Sequence, residues 1–463
     1  MNTSSTAHEK TVAVVGLGKI GLPLAVQYAR HGWQVIGCDT NPAVVETVNA
    51  GRSHVHEEPG MADDVAHLVR EGLLRATTDT TAATRAASVI VVIVPVLVDD
   101  AHQVDLTWML AATRAIGQGL HAGALVSYET TLPVGTTSGL LRQTLEAASG
   151  LRAGVDFHLA YSPERVSSGV IFRDLATYPK VVGGLNAASL AAGVAFYSSV
   201  LDAPIIEMKS TDDAEFVKLI ETTYRDVNIA LANEYARFAD AHGLDALTAI
   251  GAANTQPYSH IHQPGVGVGG HCIPVYPYFL ISGDQAGEPT ITIPRQARRI
   301  NDGMAEYATQ RIAAEIGALA GQTVLLLGVA YRGDVRETAF TSARLLQAAL
   351  RDAGALAYTD DPLYSADELS AMGYTPLPAS KVGQVRAIVV QAAHSAYKTI
   401  DLSPFTACRV VLDGRGALAQ GQVEAHGMRY LRIGDGQQVD EDAPDDAPAD
   451  TTLVASRQQG GAG

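Results

Sequence analysis

A chain of 463 residues has room for roughly three domains with separate cores, so it is not a peptide-scale binding module. Its 33 Lys and Arg against 49 Asp and Glu give a net charge of −16, which argues against nucleic acid or an anionic membrane as a general partner. No window approaches the roughly 20 uncharged apolar residues that span a bilayer, and Met1 to Lys10 lacks the apolar run of a secretion signal, so a cytoplasmic chain is expected.

Residues 11 to 206 alternate short β-branched runs with amphipathic stretches. Strands are predicted at Thr11 to Val15, Gln34 to Cys38, Ser88 to Val94, Ala124 to Tyr128 and His158 to Tyr161, with helical spacing between them. Such alternation implies α/β architecture, a parallel sheet covered on both faces. The first strand runs directly into Gly16-x-Gly18-x-x-Gly21 and a helix. Backbone NH groups and the helix N-terminus there can face a pyrophosphate. The next strand ends at Asp39, eighteen residues after Gly21, where a carboxylate can accept both ribose hydroxyls. Asp39 would repel a 2′-phosphate, and Thr40 and Asn41 supply no compensating Arg, so the expected cofactor is NAD rather than NADP.

The texture changes at Ser210. With Asp213 three residues later it forms a capping signal, and helical periodicity then runs without Gly or Pro to His242, where Gly243 offers a stop. About 32 residues make a helix near 48 Å, a length that usually bridges domains or subunits. Lys218, Thr222 and Arg225 fall on one stripe of it, which reads either as a solvated face or as the lining of an interior site. A Gly/Pro-rich loop from Gln256 to Pro277 follows and carries Cys272. The three cysteines, Cys38, Cys272 and Cys408, are too scattered for a disulfide framework or metal cluster. Cys38 and Cys408 sit in apolar strands as core residues, whereas the glycines around Cys272 let backbone approach a ligand and leave the thiol accessible. Another helical stretch spans Arg295 to Ala320. A second strand-first unit opens at Thr323, with further strands near Ala357, Ala387 to Val390 and Arg409 to Leu412. From Asp435 onward seven acids face one base, Arg457, amid Pro, Gly and Ala, which reads as a disordered tail.

Eight ordered motifs resemble the nucleotide-sugar 6-dehydrogenases, the UDP-glucose/GDP-mannose dehydrogenase family, and its UDP-N-acetylhexosamine branch in particular. They are GLGKIGLPLA (16–25), ETTLPVGTT (129–137), SPERV (162–166), KVVGG (180–184), KLIETTYRDVNIALANE (218–234), GVGVGGHCIP (265–274), GVAYRGDVRET (328–338) and LDGRGAL (412–418). The resemblance implies two Rossmann-like doubly wound domains joined by a helical domain with one long helix. The divisions are 1–208 for NAD, 209–315 for the helical and dimerisation domain with the Cys loop, 316–434 for the UDP-sugar, and 435–463 for the tail. It implies C6 oxidation of a UDP-sugar in polysaccharide biosynthesis by a homodimer or higher oligomer, through a thiohemiacetal and thioester on Cys272.

By the same resemblance Lys218 stabilises the oxyanion, Thr131 positions a water or proton relay, and Glu164 serves the hydrolytic water as base or orienter. The cofactor set is Gly16, Gly18, Lys19, Ile20, Gly21, Asp39, Pro95, Thr131 and Arg336. The substrate set is Glu164, Arg165, Val166, Lys218, Thr222, Arg225, Gly265, Gly269, Tyr331, Arg332 and Arg415, and no metal is implied. This chain departs from the pattern at Thr222, commonly Asn, and Tyr276, commonly Asp. Thr222 is expected still to donate a hydrogen bond. Tyr276, with a reference pKa of about 10, can act only as a neutral donor to water or oxyanion. The alternatives are UDP-glucose 6-dehydrogenation, a two-electron dehydrogenase that releases an aldehyde, and a nucleotide-sugar binding protein without turnover.

Overall fold

The computed structural model describes residues 10–99, 101–283 and 290–437. Its first sheet has eight strands. In chain order the strands of this region are β1 (Thr11–Val15), β2 (Gln34–Cys38), β3 (Leu74–Thr77), β4 (Val89–Val92), a short hairpin β5 (Leu97–Val98) and β6 (Val104–Asp105) outside the sheet, β7 (Leu125–Tyr128), β8 (His158–Tyr161), β9 (Lys180–Gly184) and β10 (Ile205–Met208). The spatial order β10-β9-β8-β7-β4-β1-β2-β3 reverses direction between β1 and β4, the switch point at which doubly wound sheets open a crevice. Every residue of β1, β4 and β7 is buried, because helices cover both faces and separate apolar clusters fill each side.

The expected all-parallel sheet needs one correction. β9 runs antiparallel to β8, pairing Tyr161 with Gly183, and β10 then continues parallel to β9. The connection from β8 folds over the C-terminal edge of the sheet, with one short helix at Ile171–Thr177, and never crosses to the other edge. The chain therefore enters β9 beside the residues on which β7 and β8 leave.

The long helix, Thr211–His242, begins as its capping signal predicts: the Ser210 side chain accepts from the Asp213 N–H. It ends at Gly243, whose φ of +64° no β-substituted residue adopts easily. The helix Ile293–Ile316 lies along it. Asn301 joins Asn233 at 2.9 Å, Arg298 joins Asp226 at 2.6 Å, and Tyr307 donates to Asp240 at 2.8 Å. The second sheet, β11 (Thr323–Leu327), β12 (Leu356–Asp360), β13 (Val385–Val390), β14 (Val410–Asp413) and β15 (Arg429–Leu431), is wholly parallel in the order β12-β11-β13-β14-β15.

Asp435, the first residue of the expected tail, accepts from the Arg432 N–H at 2.6 Å and pairs with Arg311 at 3.3 Å. It belongs to the folded body because two donors hold it there. The rest of the expected tail, 438–463, lies outside the described residues. Among the described residues no helix is long and apolar enough to cross a membrane, and no cluster of side chains has the makings of a metal site.

Candidate active site

The glycine loop after β1 has the geometry its spacing predicts. Gly16 holds φ at +98°, and a side chain on Gly21 would sit 1.8 Å from the Gly16 carbonyl oxygen, so both positions require glycine. A Cβ at Gly18 meets nothing within 4 Å. That open face, before a helix starting at Gly21 with no acid in its first turn, fits a pyrophosphate. Asp39 sits at the end of β2 and accepts from the Leu17 and Asn41 N–H groups at 3.0 and 2.9 Å. Each carboxylate oxygen keeps a lone pair for a ribose hydroxyl. Ile20 caps this helix, and Pro95 is exposed just past β4, above the same crevice.

Cys272 is half-buried in a turn in which Tyr276 N–H returns to the Cys272 carbonyl at 2.9 Å. The Tyr276 hydroxyl reaches the side chains of both Thr131 and Cys272. Burial, with the thiol beside it, pushes that hydroxyl well above its ordinary value of 10, so it stays protonated. Residues 131, 272 and 276, far apart in the chain, therefore meet. Glu215 ties the Thr131 loop to the long helix, accepting from Gly135 N–H at 2.6 Å and Thr137 N–H at 2.8 Å.

One turn further along that helix Lys218 is buried at 8% exposure, and among the described residues no carboxylate pairs with it. Thr222 is buried too, but its hydroxyl donates to the Lys218 and Leu219 carbonyls at 2.9 and 3.2 Å. It donates to oxygen as expected, but to the helix's own carbonyls, and so turns lone pairs to the site. Arg225 leaves the stripe: it is exposed beside His262.

Glu164 turns toward Lys180 rather than standing free. Its Oε2 accepts from Lys180 Nζ at 2.9 Å, and its Oε1 from the Arg165 and Val166 N–H groups at 2.7 and 3.2 Å. Burial opposes its ionisation, but Lys180 outweighs burial and holds the carboxyl below the usual range. An acid so held is a weak base, so of the two expected roles the geometry favours orienter. Arg165 itself is engaged by Glu221 at 2.9 Å.

Across the cleft, the Tyr331 ring lies 3.3 Å from where a Cβ of Gly270 would be, and a Cβ on Gly269 would strike Tyr331. Arg415 donates to the Gly267 carbonyl at 2.9 Å and the Gln391 carbonyl at 2.8 Å, pinning the glycine loop to the second sheet; Asn233 holds the Gly265 N–H from the other side. Arg332 donates to the Ser168 carbonyl at 3.2 Å. Arg336, expected at the cofactor phosphate, instead pairs with Glu368 and stacks over Tyr364 at 4.7 Å, because those partners lie on its own domain.

Sequence reasoning passed over several residues. Glu337 bonds Lys19 of the cofactor loop at 2.7 Å and His271, next to Cys272, at 3.1 Å. His271 and Lys19 hold its carboxyl down to about 2. One carboxylate thus clasps the cofactor loop, the thiol loop and the second sheet. His394 accepts from Asp334 N–H at 3.0 Å on Nδ1 and so must carry its proton on Nε2, toward Asp361 at 3.2 Å. That arrangement fixes the loop bearing Tyr331, Arg332 and Arg336. All but Glu215, His394 and Asp361 stand inside quoted motifs, but nothing in the spacing reveals their partners.

Comparison with known proteins bears on this arrangement. Models of the UDP-glucose/GDP-mannose dehydrogenase family match successive parts of the chain: the NAD binding domain over residues 10–201, the central domain over 212–303 and the UDP binding domain over 325–420. The UDP-N-acetyl-D-mannosamine dehydrogenase of Pyrococcus horikoshii is 34% identical over 436 residues, 92% of this chain and 99% of that one. The NDP-N-acetyl-D-galactosaminuronic acid dehydrogenase of Ralstonia nicotianae is 32% identical over 424 residues, 90% and 98% of the two chains. Among solved structures, the UDP-D-ManNAc dehydrogenase of Pyrococcus horikoshii superposes with a TM-score of 0.82 at 32% identity, covering 92% of this chain and 99% of that one. The UDP-glucose dehydrogenase of Pyrobaculum islandicum gives 0.81 at 26% identity, covering 94% and 100%.

Proposed function

Because the chain belongs to the UDP-glucose/GDP-mannose dehydrogenase family, and so is an NAD-dependent UDP-sugar dehydrogenase, we propose that it oxidises C6 of a UDP-N-acetylhexosamine to the uronic acid, with UDP-N-acetylmannosamine the first choice. The observation that carries this reading is the meeting of Cys272, Tyr276 and Thr131 at the edge of the NAD domain. The N-acetylmannosamine assignment is supported by the relatives that share the whole length of the chain.

Gly16 to Gly21 would hold NAD, with Asp39 on its ribose, and a bound NAD would supply the hydride acceptor for each of two oxidations. The thiol of Cys272 then adds to the C6 aldehyde: a carbon–sulfur bond forms and the proton goes to the oxygen. Loss of hydride from that carbon and proton from that oxygen leaves a thioester. Water adds, the carbon–sulfur bond breaks, and the acid leaves while sulfur regains its proton. Lys218 faces the oxyanion of each addition from the long helix, and Thr131 and Tyr276 orient water as neutral donors. Holding the aldehyde on Cys272 keeps it from escaping. Tyr331, Arg332 and Arg415 border the end of the cleft that takes the nucleotide, and an exposed apolar row on the long helix supports a homodimer as the working form, in the cytoplasm.

A panel of UDP-N-acetylmannosamine, UDP-N-acetylglucosamine, UDP-N-acetylgalactosamine and UDP-glucose with NAD tests the substrate. The expected result is the highest kcat/KM with UDP-N-acetylmannosamine. Preference for UDP-glucose would overturn the N-acetylhexosamine assignment.

A further inference from the structure

Lys180 lies at 5% side-chain exposure between two carboxylates, Glu129 at 2.7 Å and Glu164 at 2.9 Å. Glu129 is completely buried and leaves β7 two residues before Thr131; Glu164 leaves β8. Lys180 opens β9, and it reaches this edge only because β9 runs antiparallel to β8. Around the trio, Tyr28 from one helix and Tyr197 from another donate to Glu129 Oε1 at 2.9 and 2.8 Å, and the Lys180 ammonium lies 5.1 Å from the Tyr197 ring. The other charges nearby are engaged elsewhere: Asp174 by Arg173 at 2.8 Å and Arg165 by Glu221.

Resting on the reading that Glu164 orients the hydrolytic water, we propose that Lys180 is a positioning residue of the reaction: its ammonium locks the exits of β7 and β8 together and so sets Glu164 and Thr131 toward the Cys272 loop. Lys180 touches neither substrate nor cofactor in this role. A buried cation between two acids holds a geometry that no packing residue can replace, because removing it leaves two like charges facing each other in a low-dielectric interior. Arginine keeps the charge and both partners; methionine keeps only the volume.

The test compares full-length Lys180→Met and Lys180→Arg with wild type, using NAD and the UDP-sugar that the wild type oxidises fastest. Lys180→Met is expected to lower kcat on the order of 100-fold with KM for the sugar within about threefold. It should also move the acid limb of the kcat profile up by about one pH unit or more, as the carboxylates lose their cation. Lys180→Arg should restore most of kcat and the wild-type limb. Without substrate, the melting temperature of Lys180→Met should fall further below wild type at pH 8 than at pH 5.5, since the uncompensated acids ionise as pH rises. A kcat profile of Lys180→Met that superimposes on wild type, or a melting deficit equal at both pH values, overturns the proposal. If the wild type yields NADH from no UDP-sugar the functional reading falls, and the melting comparison alone then supports or overturns the claim for Lys180.

Discussion

Glu215 shows how a single side chain can serve both folding and site. It is completely buried, caps the turn at Thr137 and ties the Thr131 loop to the helix bearing Lys218. Burial raises its carboxyl from 4.5 to about 7 even against those two N–H donors. A carboxyl raised in the folded chain binds its proton there at pH values where the unfolded chain has lost it. Its contribution to stability therefore falls as pH rises from about 4.5 through about 7, by roughly 3 kcal/mol in all, and is flat above. The melting temperature of wild type minus that of Glu215→Gln is expected to decline across that window; two parallel curves would contradict it. Cys272 could be singled out in the sequence because four glycines crowd the six positions from 265 to 270 just before it, and Thr131 because a family motif carries it. Glu215 stands outside the family motifs and Lys180 opens one, but the role of neither could be read, since their partners Thr137 and Glu129 lie 78 and 51 residues away and only the fold brings them together. The departure at Tyr276 was visible as a residue type, while its place against Thr131 and Cys272 needed the fold.

Among the elements, β1, β2 and β8 are read from sequence to the residue, because each is one polar residue followed by a run of three or four apolar ones bounded by turn signals, which has one good use in an α/β chain. β3, β9 and β10 were not predicted. β3 alternates buried and exposed residues over only four positions, β9 carries two glycines, and β10 is half-exposed at the edge. The long helix was legible end to end, caps included, but its two faces were not told apart. One side buries Ala214, Lys218, Leu219 and Thr222; the other exposes Phe216, Ile220, Tyr224, Leu231, Tyr235 and Phe238. That second row repeats at steps of three, four and seven over about 33 Å, the pattern of a helix face that packs on a partner. A second copy is the occupant the homodimer reading requires. Tyr235→Glu with Phe238→Glu should therefore convert the wild-type dimer to a monomer in sedimentation analysis. A monomeric wild type, or a double variant that stays dimeric, would contradict this face as the interface.

At the scale of the whole molecule, a mixed eight-stranded sheet and a parallel five-stranded one are joined by few but specific contacts. Glu337 holds Lys19 and His271, Arg332 reaches Ser168, and Arg415 pins Gly267. The substrate carries a pyrophosphate, while the chain has a net charge of −16, so long-range attraction cannot bring them together. In the proposed function recognition therefore falls to local donors: the glycine loop, Lys218, Arg332 and Arg415. The central claim is that C6 is oxidised twice, the second time while held on the Cys272 thiol, despite a tyrosine in place of the family's acid. Complete conversion of a limiting amount of UDP-N-acetylmannosamine, with NADH counted by absorbance and product by mass, tests it most directly. The account predicts two NADH and one uronic acid per sugar consumed, with the acid lost in Cys272→Ser; one NADH and a released aldehyde from the wild type would contradict it.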